Sequence, residues 1–141
     1  MGLTNDERSA LIQLKIERAN STFKEVSVLI EQGFFRTAAN RLYYSCFYIV
    51  SALLLQNKFA ARTHQGIISL FALHFVKTEI VSIDNGRLYR SLFELRQTGD
   101  YDDIKEISKE DVVTRIKPAE QFIQTIENLI NNNNVTQQNM T

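Results

Sequence analysis

Between Phe35 and Asn57 apolar residues cover almost the whole circumference of one predicted helix. Tyr43, Phe47, Val50 and Leu54 fall on a single face at spacings of three and four, with Tyr44, Tyr48 and Leu55 beside them. A helix apolar nearly all round belongs at the centre of a domain, or shares its surface between the core and a partner. Its longest apolar run, Leu42 to Leu55, contains Ser45 and Ser51. That run falls short of the roughly 18 to 20 residues a bilayer span requires, so it reads as a buried core helix and not as a membrane segment.

The remaining pattern is helical as well. From an N-cap at Thr4 or Asn5, the residues Ile12, Ile16, Ala19, Phe23, Val26 and Ile30 recur at four and three, which predicts an amphipathic helix ending near Gly33. Thr63 reads as the N-cap of a third helix carrying Ile67, Ile68, Leu70, Phe71, Phe75 and Val76. Asp84, Asn85 and Gly86 are expected to separate it from a fourth carrying Leu88, Leu92 and Leu95. Ser108 with Asp111 resembles a capping box opening a last helix, whose stripe is Val112, Ile116, Ala119, Phe122, Ile126 and Leu129. Pro118 inside that stripe predicts a kink or a break into two shorter helices. No segment alternates as a strand would, and no internal repeat is visible. The fold class is therefore all-α, an antiparallel up-and-down bundle of four to five helices. One domain is expected over residues 1–132, followed by a polar, frayed tail over 133–141.

Composition narrows the function classes. Of 141 residues, 44% are hydrophobic and 23% charged, as in ordinary globular domains. The 16 basic and 16 acidic residues cancel, so nucleic-acid binding would need a local patch, and no general polyanion or DNA specificity is indicated. The lone cysteine, Cys46, allows neither an internal disulfide nor a thiol-based metal site, and fits a reducing cytoplasm. The N-terminus lacks the basic segment and apolar core of a secretory signal. His64 and His74 adjoin no acidic cluster and lack metal-ligand spacing, so no metal or other cofactor is expected.

The chemistry concentrates in RQTGDYDD, from Arg96 to Asp103. If one helix delivers Arg96 and Asp100, their i, i+4 spacing puts them on the same side, with Tyr101 following. Such a cluster either holds a phosphate or nucleotide or is an ion pair at a helix end. Arg41 could bring a second cation, since it shares a face with Tyr44, Ser45 and Tyr48; the alternative is an arginine snorkelling to solvent. Tyr43 and Tyr44 either stack a base or pack in the core. His74, between Leu73 and Phe75, reads as a structural or surface residue.

Three ordered blocks carry a resemblance: AANRLYYSCFYIVSALLL, THQGIISLFALHFVK and GRLYRSLFELRQTGDYDD. The chain resembles the HEPN domain family, above all its small stand-alone prokaryotic members, and the match covers most of its length. The resemblance implies an antiparallel helical bundle that dimerises. It also implies a role as a metal-independent ribonuclease, often a toxin, or as the partner of a small nucleotidyltransferase in a toxin–antitoxin-like module. In ribonuclease members, an Arg followed after four to six residues by His contributes from each protomer to a cleft at the dimer interface. Here Arg96 is followed after four residues by Tyr101 instead of His.

That departure weighs on the choice of mechanism. Attack of an RNA 2′-hydroxyl on the adjacent phosphate, leaving a cyclic phosphate, needs a cation and groups that move protons near pH 7. Arg96 suits the first task through bidentate contact with phosphate oxygens. Tyr101 suits the second poorly, because a phenol titrates near about pH 10, and pairing with Arg96 weakens Asp100 as a base. His64, where the resemblance places a histidine at a helix start, is the remaining proton carrier. The expected function is binding of nucleotide or RNA phosphate in an Arg96-centred cleft of a homodimer, with Arg96, Arg41, Tyr44 and His64 as ligands. The alternatives are a ribonuclease using Arg96, Asp100 and Tyr101, and a non-catalytic helical interaction domain.

Overall fold

The computed structural model describes residues 2–101 and 106–139, with side chains through residue 100 and from 106 to 133. Among the described residues the chain forms five α-helices and no strand: α1 Asn5–Glu31, α2 Phe35–Gln56, α3 His64–Phe71, α4 Ile83–Tyr101 and α5 Lys109–Asn139. A π-helical turn, Ala72–Val76, continues α3. None of these helices is long and apolar enough to cross a membrane.

Capping chemistry sets the helix starts. Thr4 and Glu7 exchange side-chain and backbone hydrogen bonds in a capping box at α1. Ser108 and Asp111 do the same at α5, as their spacing predicts. Thr63 caps α3 by accepting from the Gly66 N–H at 2.9 Å. A Cβ on Gly66 would stand 3.0 Å from both Ala61 Cβ and Thr63 Oγ1, so a side chain there would have to push these neighbours back by a few tenths of an ångström.

Two expectations change. Asp84, Asn85 and Gly86 do not separate helices; they form the first turn of α4, because Ser82 Oγ accepts from the Asn85 N–H and caps the helix one turn earlier. The break falls at residues 77–82, where Glu79 adopts φ 66° and Val81 is buried. Pro118 does not divide the last helix, since α5 runs through it as one element. Pro118 and Thr114 are both exposed, so water can satisfy the carbonyl that loses its partner.

The helices pack as the antiparallel bundle. α2 touches α1, α3, α4 and α5, the central place its all-round apolarity requires. Arg8, near the start of α1, donates to the Leu55 carbonyl at the end of α2, so these two run oppositely. Asn40, early in α2, meets Asp100, late in α4, which sets the same relation. Gln56 Nε2 donates to the Ile130 carbonyl at 2.8 Å and ties the ends of α2 and α5 together. The core gathers Leu42, Tyr43, Ile49 and Leu53 of α2 with Tyr89, Leu92, Phe122 and Ile126, all fully buried. Each such side chain contributes about 1.5–3 kcal/mol relative to leaving it in water.

Candidate functional site

α4 and the first half of α2 bring the predicted cluster together. Arg96 Nε stands 2.8 Å from Asp100 Oδ2, and both side chains are largely sheltered from solvent. Arg96 also donates to the Tyr44 hydroxyl at 3.2 Å and lies 5.4 Å from that ring's centroid. The Arg41 guanidinium sits 5.2 Å from the same ring's centroid. Two guanidiniums thus lie near the Tyr44 ring, an arrangement that suits its negative π-face. Asn40 completes the circuit. Its amide donates to Asp100 Oδ2 at 3.2 Å, while its Oδ1 accepts from Arg41 Nη2 at 2.7 Å and Nε at 3.1 Å.

His64, the first residue of α3, faces the same tyrosines. Tyr43 Oη and His64 Nδ1 are 2.7 Å apart, and the imidazole packs against Phe47 at 4.8 Å and Tyr44 at 5.7 Å. Burial, then the positive charge of Arg96, holds His64 below the ordinary imidazole range, so it is neutral at pH 7. Burial pushes the Tyr43 phenol up to about 12, which keeps its proton in place. The protonated phenol either donates to Nδ1, leaving the imidazole proton on Nε2, or accepts from a protonated Nδ1. Cys46 is fully enclosed, and burial pushes its thiol to about 12, so it offers no nucleophile to the cluster.

Of the residues predicted from sequence, Arg96, Asp100, Arg41 and Tyr44 form one connected group, and His64 joins it through Tyr43 and Tyr44. Ser45, one turn on from Arg41, takes no part in the cluster: it is fully buried and returns its hydroxyl to the Leu42 carbonyl. Tyr43 belongs to the core, whereas Tyr44 is half-buried at the site. The Tyr101 backbone ends α4, but its side chain, like Asp102 and Asp103, lies outside the described residues.

Comparison with known proteins supplies the lineage. The HEPN domain model matches residues 12–129, which is most of the chain. The chain belongs to the HEPN family. A UPF0332 protein of Thermotoga maritima is 37% identical over 125 residues, covering 89% of this HEPN chain and 95% of the relative. Two Methanocaldococcus jannaschii proteins whose names suggest toxins are 35% and 31% identical over 96 and 125 residues. They cover 68% and 89% of this chain, and 65% and 92% of their own lengths.

In this HEPN chain, two participants escaped the sequence reading. Asn40 has no motif of its own, and its role depends on α4 arriving beside α2, which only the tertiary structure supplies. Tyr43 was visible as one of a tyrosine pair, but its hydrogen bond to His64 spans 21 positions.

Proposed function

We propose that this HEPN protein binds the phosphate of RNA or a nucleotide at Arg96, Arg41 and Tyr44. The cleft is completed by a second copy of the chain, and the setting is a toxin–antitoxin-like module with a small nucleotidyltransferase as partner. The supporting observation is the charge balance of the cluster. Among the described residues, two guanidiniums converge on Tyr44 and one carboxylate, Asp100, stands between them. An arriving phosphate competes with Asp100 for Arg96 and gains from the excess cation, since guanidinium grips phosphate oxygens bidentately. The toxin setting draws on the two relatives so named.

The reading makes opposite predictions for the two ends of the ion pair. Arg96→Ala weakens binding of a short RNA by about 10- to 100-fold, from loss of a charged hydrogen bond of about 1.5–3 kcal/mol. Asp100→Asn removes the competing carboxylate and tightens it. Titrations by fluorescence anisotropy at fixed salt decide the matter, and equal affinity for wild type and both variants would sink the reading.

A second reading, RNA cleavage, is favoured by the neutral imidazole beside Arg96. In that reaction the 2′-oxygen bonds to phosphorus and loses its proton, the 5′-oxygen leaves with the P–O bond pair, and it takes up a proton. A neutral imidazole can take the 2′-proton only through the ring nitrogen that lacks its own, and can pass a proton to the 5′-oxygen only after it has become imidazolium; with Nδ1 engaged by Tyr43, this favours binding over cutting. Metal-free protein incubated with mixed RNA decides between them. Cyclic-phosphate ends that vanish in Arg96→Ala establish cleavage; their absence from about pH 6 to about pH 9 removes it.

A further inference from the structure

Beside His64 lies a cavity of about 240 Å³ whose lining does not include Arg96, Arg41 or Tyr44. Its shape starts at the end of α2. Lys58 turns left-handed at φ 63°, and the Phe59 N–H then folds back onto the Leu54 carbonyl at 2.9 Å. Phe59 is held by stacking on His74 at 4.1 Å, so the cavity's aromatic wall is positioned from behind. Phe47 and Leu54 of α2 extend this apolar floor.

The polar lining has one sign. Lys15 of α1 and Arg62 ahead of α3 both reach the cavity, His64 closes one end, and among the described residues no carboxylate lines it. The described ion pairs engage Arg90 and Arg96, leaving Lys15 and Arg62 without a carboxylate partner among the described residues. Lys15 is half-buried, and burial followed by the neighbouring Arg18 pulls its ammonium below the ordinary lysine range. An ammonium in that position lacks compensating negative charge, which a bound anion would provide. Arg8 adds to the same field: it donates to the carbonyl of Leu55, a lining residue, and its buried Nε has no hydrogen-bond partner among the described residues.

We propose that this cavity is a second binding site, taking a small organic phosphate. Its flat apolar body lies against Phe47, Leu54 and Phe59, and its phosphate meets Lys15 and Arg62. The volume limits the body to about one ring, because it lies below the roughly 300–1,000 Å³ of pockets that hold larger ligands. The site is independent of Arg96 and does not rest on the function proposed above.

The test uses the full chain, isotope-labelled, titrated with phenyl phosphate and separately with inorganic phosphate. Phenyl phosphate should shift amides around Lys15, Phe59 and Thr63 along one saturable curve, separate from any shifts at Arg96 and Tyr44. The double variant Lys15→Met, Arg62→Met should weaken it more than tenfold, while Lys15→Arg and Arg96→Ala leave it within about twofold. Retained binding by Lys15→Arg at an unchanged melting temperature separates lost charge from lost folding. Inorganic phosphate binding as tightly as phenyl phosphate would overturn the apolar floor. Unchanged affinity in the double variant, shifts confined to Arg96 and Tyr44 with none at the cavity, or no saturable binding would each overturn the site.

Discussion

At Asp100 one carboxylate oxygen serves both the Arg96 guanidinium and the Asn40 amide, and through Asn40 it fixes Arg41. A residue read from sequence as a neutralising partner is therefore also what holds two cations in register. His64 carries the clearest pH signature. Its folded pKa lies below the ordinary value of about 6.5 because of burial and Arg96, so the unfolded chain takes up the proton first as pH falls. Its contribution to stability is complete above about pH 6.5 and drains as pH drops through that value toward the folded pKa. Melting temperature should fall on acidification across this window, and His64→Gln should flatten the slope; an unchanged slope would place the effect elsewhere. Arg96 and Asp100 were legible because they sit four apart on one helix. Asn40 was not, because a side-chain amide gains its meaning only from what another helix brings to it.

Among the elements, the ends of α1 and α2 make the same cap with different residues. Gly33 follows α1 at φ 79° and Lys58 follows α2 at φ 63°, each succeeded by a phenylalanine whose N–H folds back onto the helix. Glycine adopts this conformation freely, whereas lysine pays about 1 kcal/mol for it. Lys58→Gly should therefore be stabilising by up to about 1 kcal/mol, and Gly33→Ala destabilising by at least about 1 kcal/mol; urea denaturation measures both. Equal effects of the same sign would contradict the shared geometry. The Gly33 stop was legible, since glycine just past a periodic run is a strong terminator. The start of α4 was misread because the polar triplet Asp84, Asn85 and Gly86 has loop composition, and the deciding cap, Ser82, lies one turn before it. Pro118 was overweighted for a related reason: its cost depends on whether the orphaned carbonyl can reach water, which burial decides.

For the molecule as a whole, the all-round apolarity of α2 gave the architecture almost unaided, because only a central position buries every side of such a helix. Its sides are not equally covered, however. Tyr48 remains half-buried, and Phe34 and Val28 are more than half exposed near the α1–α2 junction. We expect this surface to receive a second copy, giving roughly twice the 16.3 kDa chain mass in light scattering, and Tyr48→Glu to shift the population towards monomer. A wild-type monomer at high concentration would remove the shared cleft. Along α2 itself, Leu42, Tyr43, Cys46 and Ile49 face the interior, while Asn40, Arg41, Tyr44 and Phe47 face the site. Within one helix, then, the residues that select a ligand are interleaved with those that secure the fold. A lineage could exchange the outward set and acquire a new target while the inward set keeps the scaffold standing, so recognition can drift without passing through an unfolded ancestor.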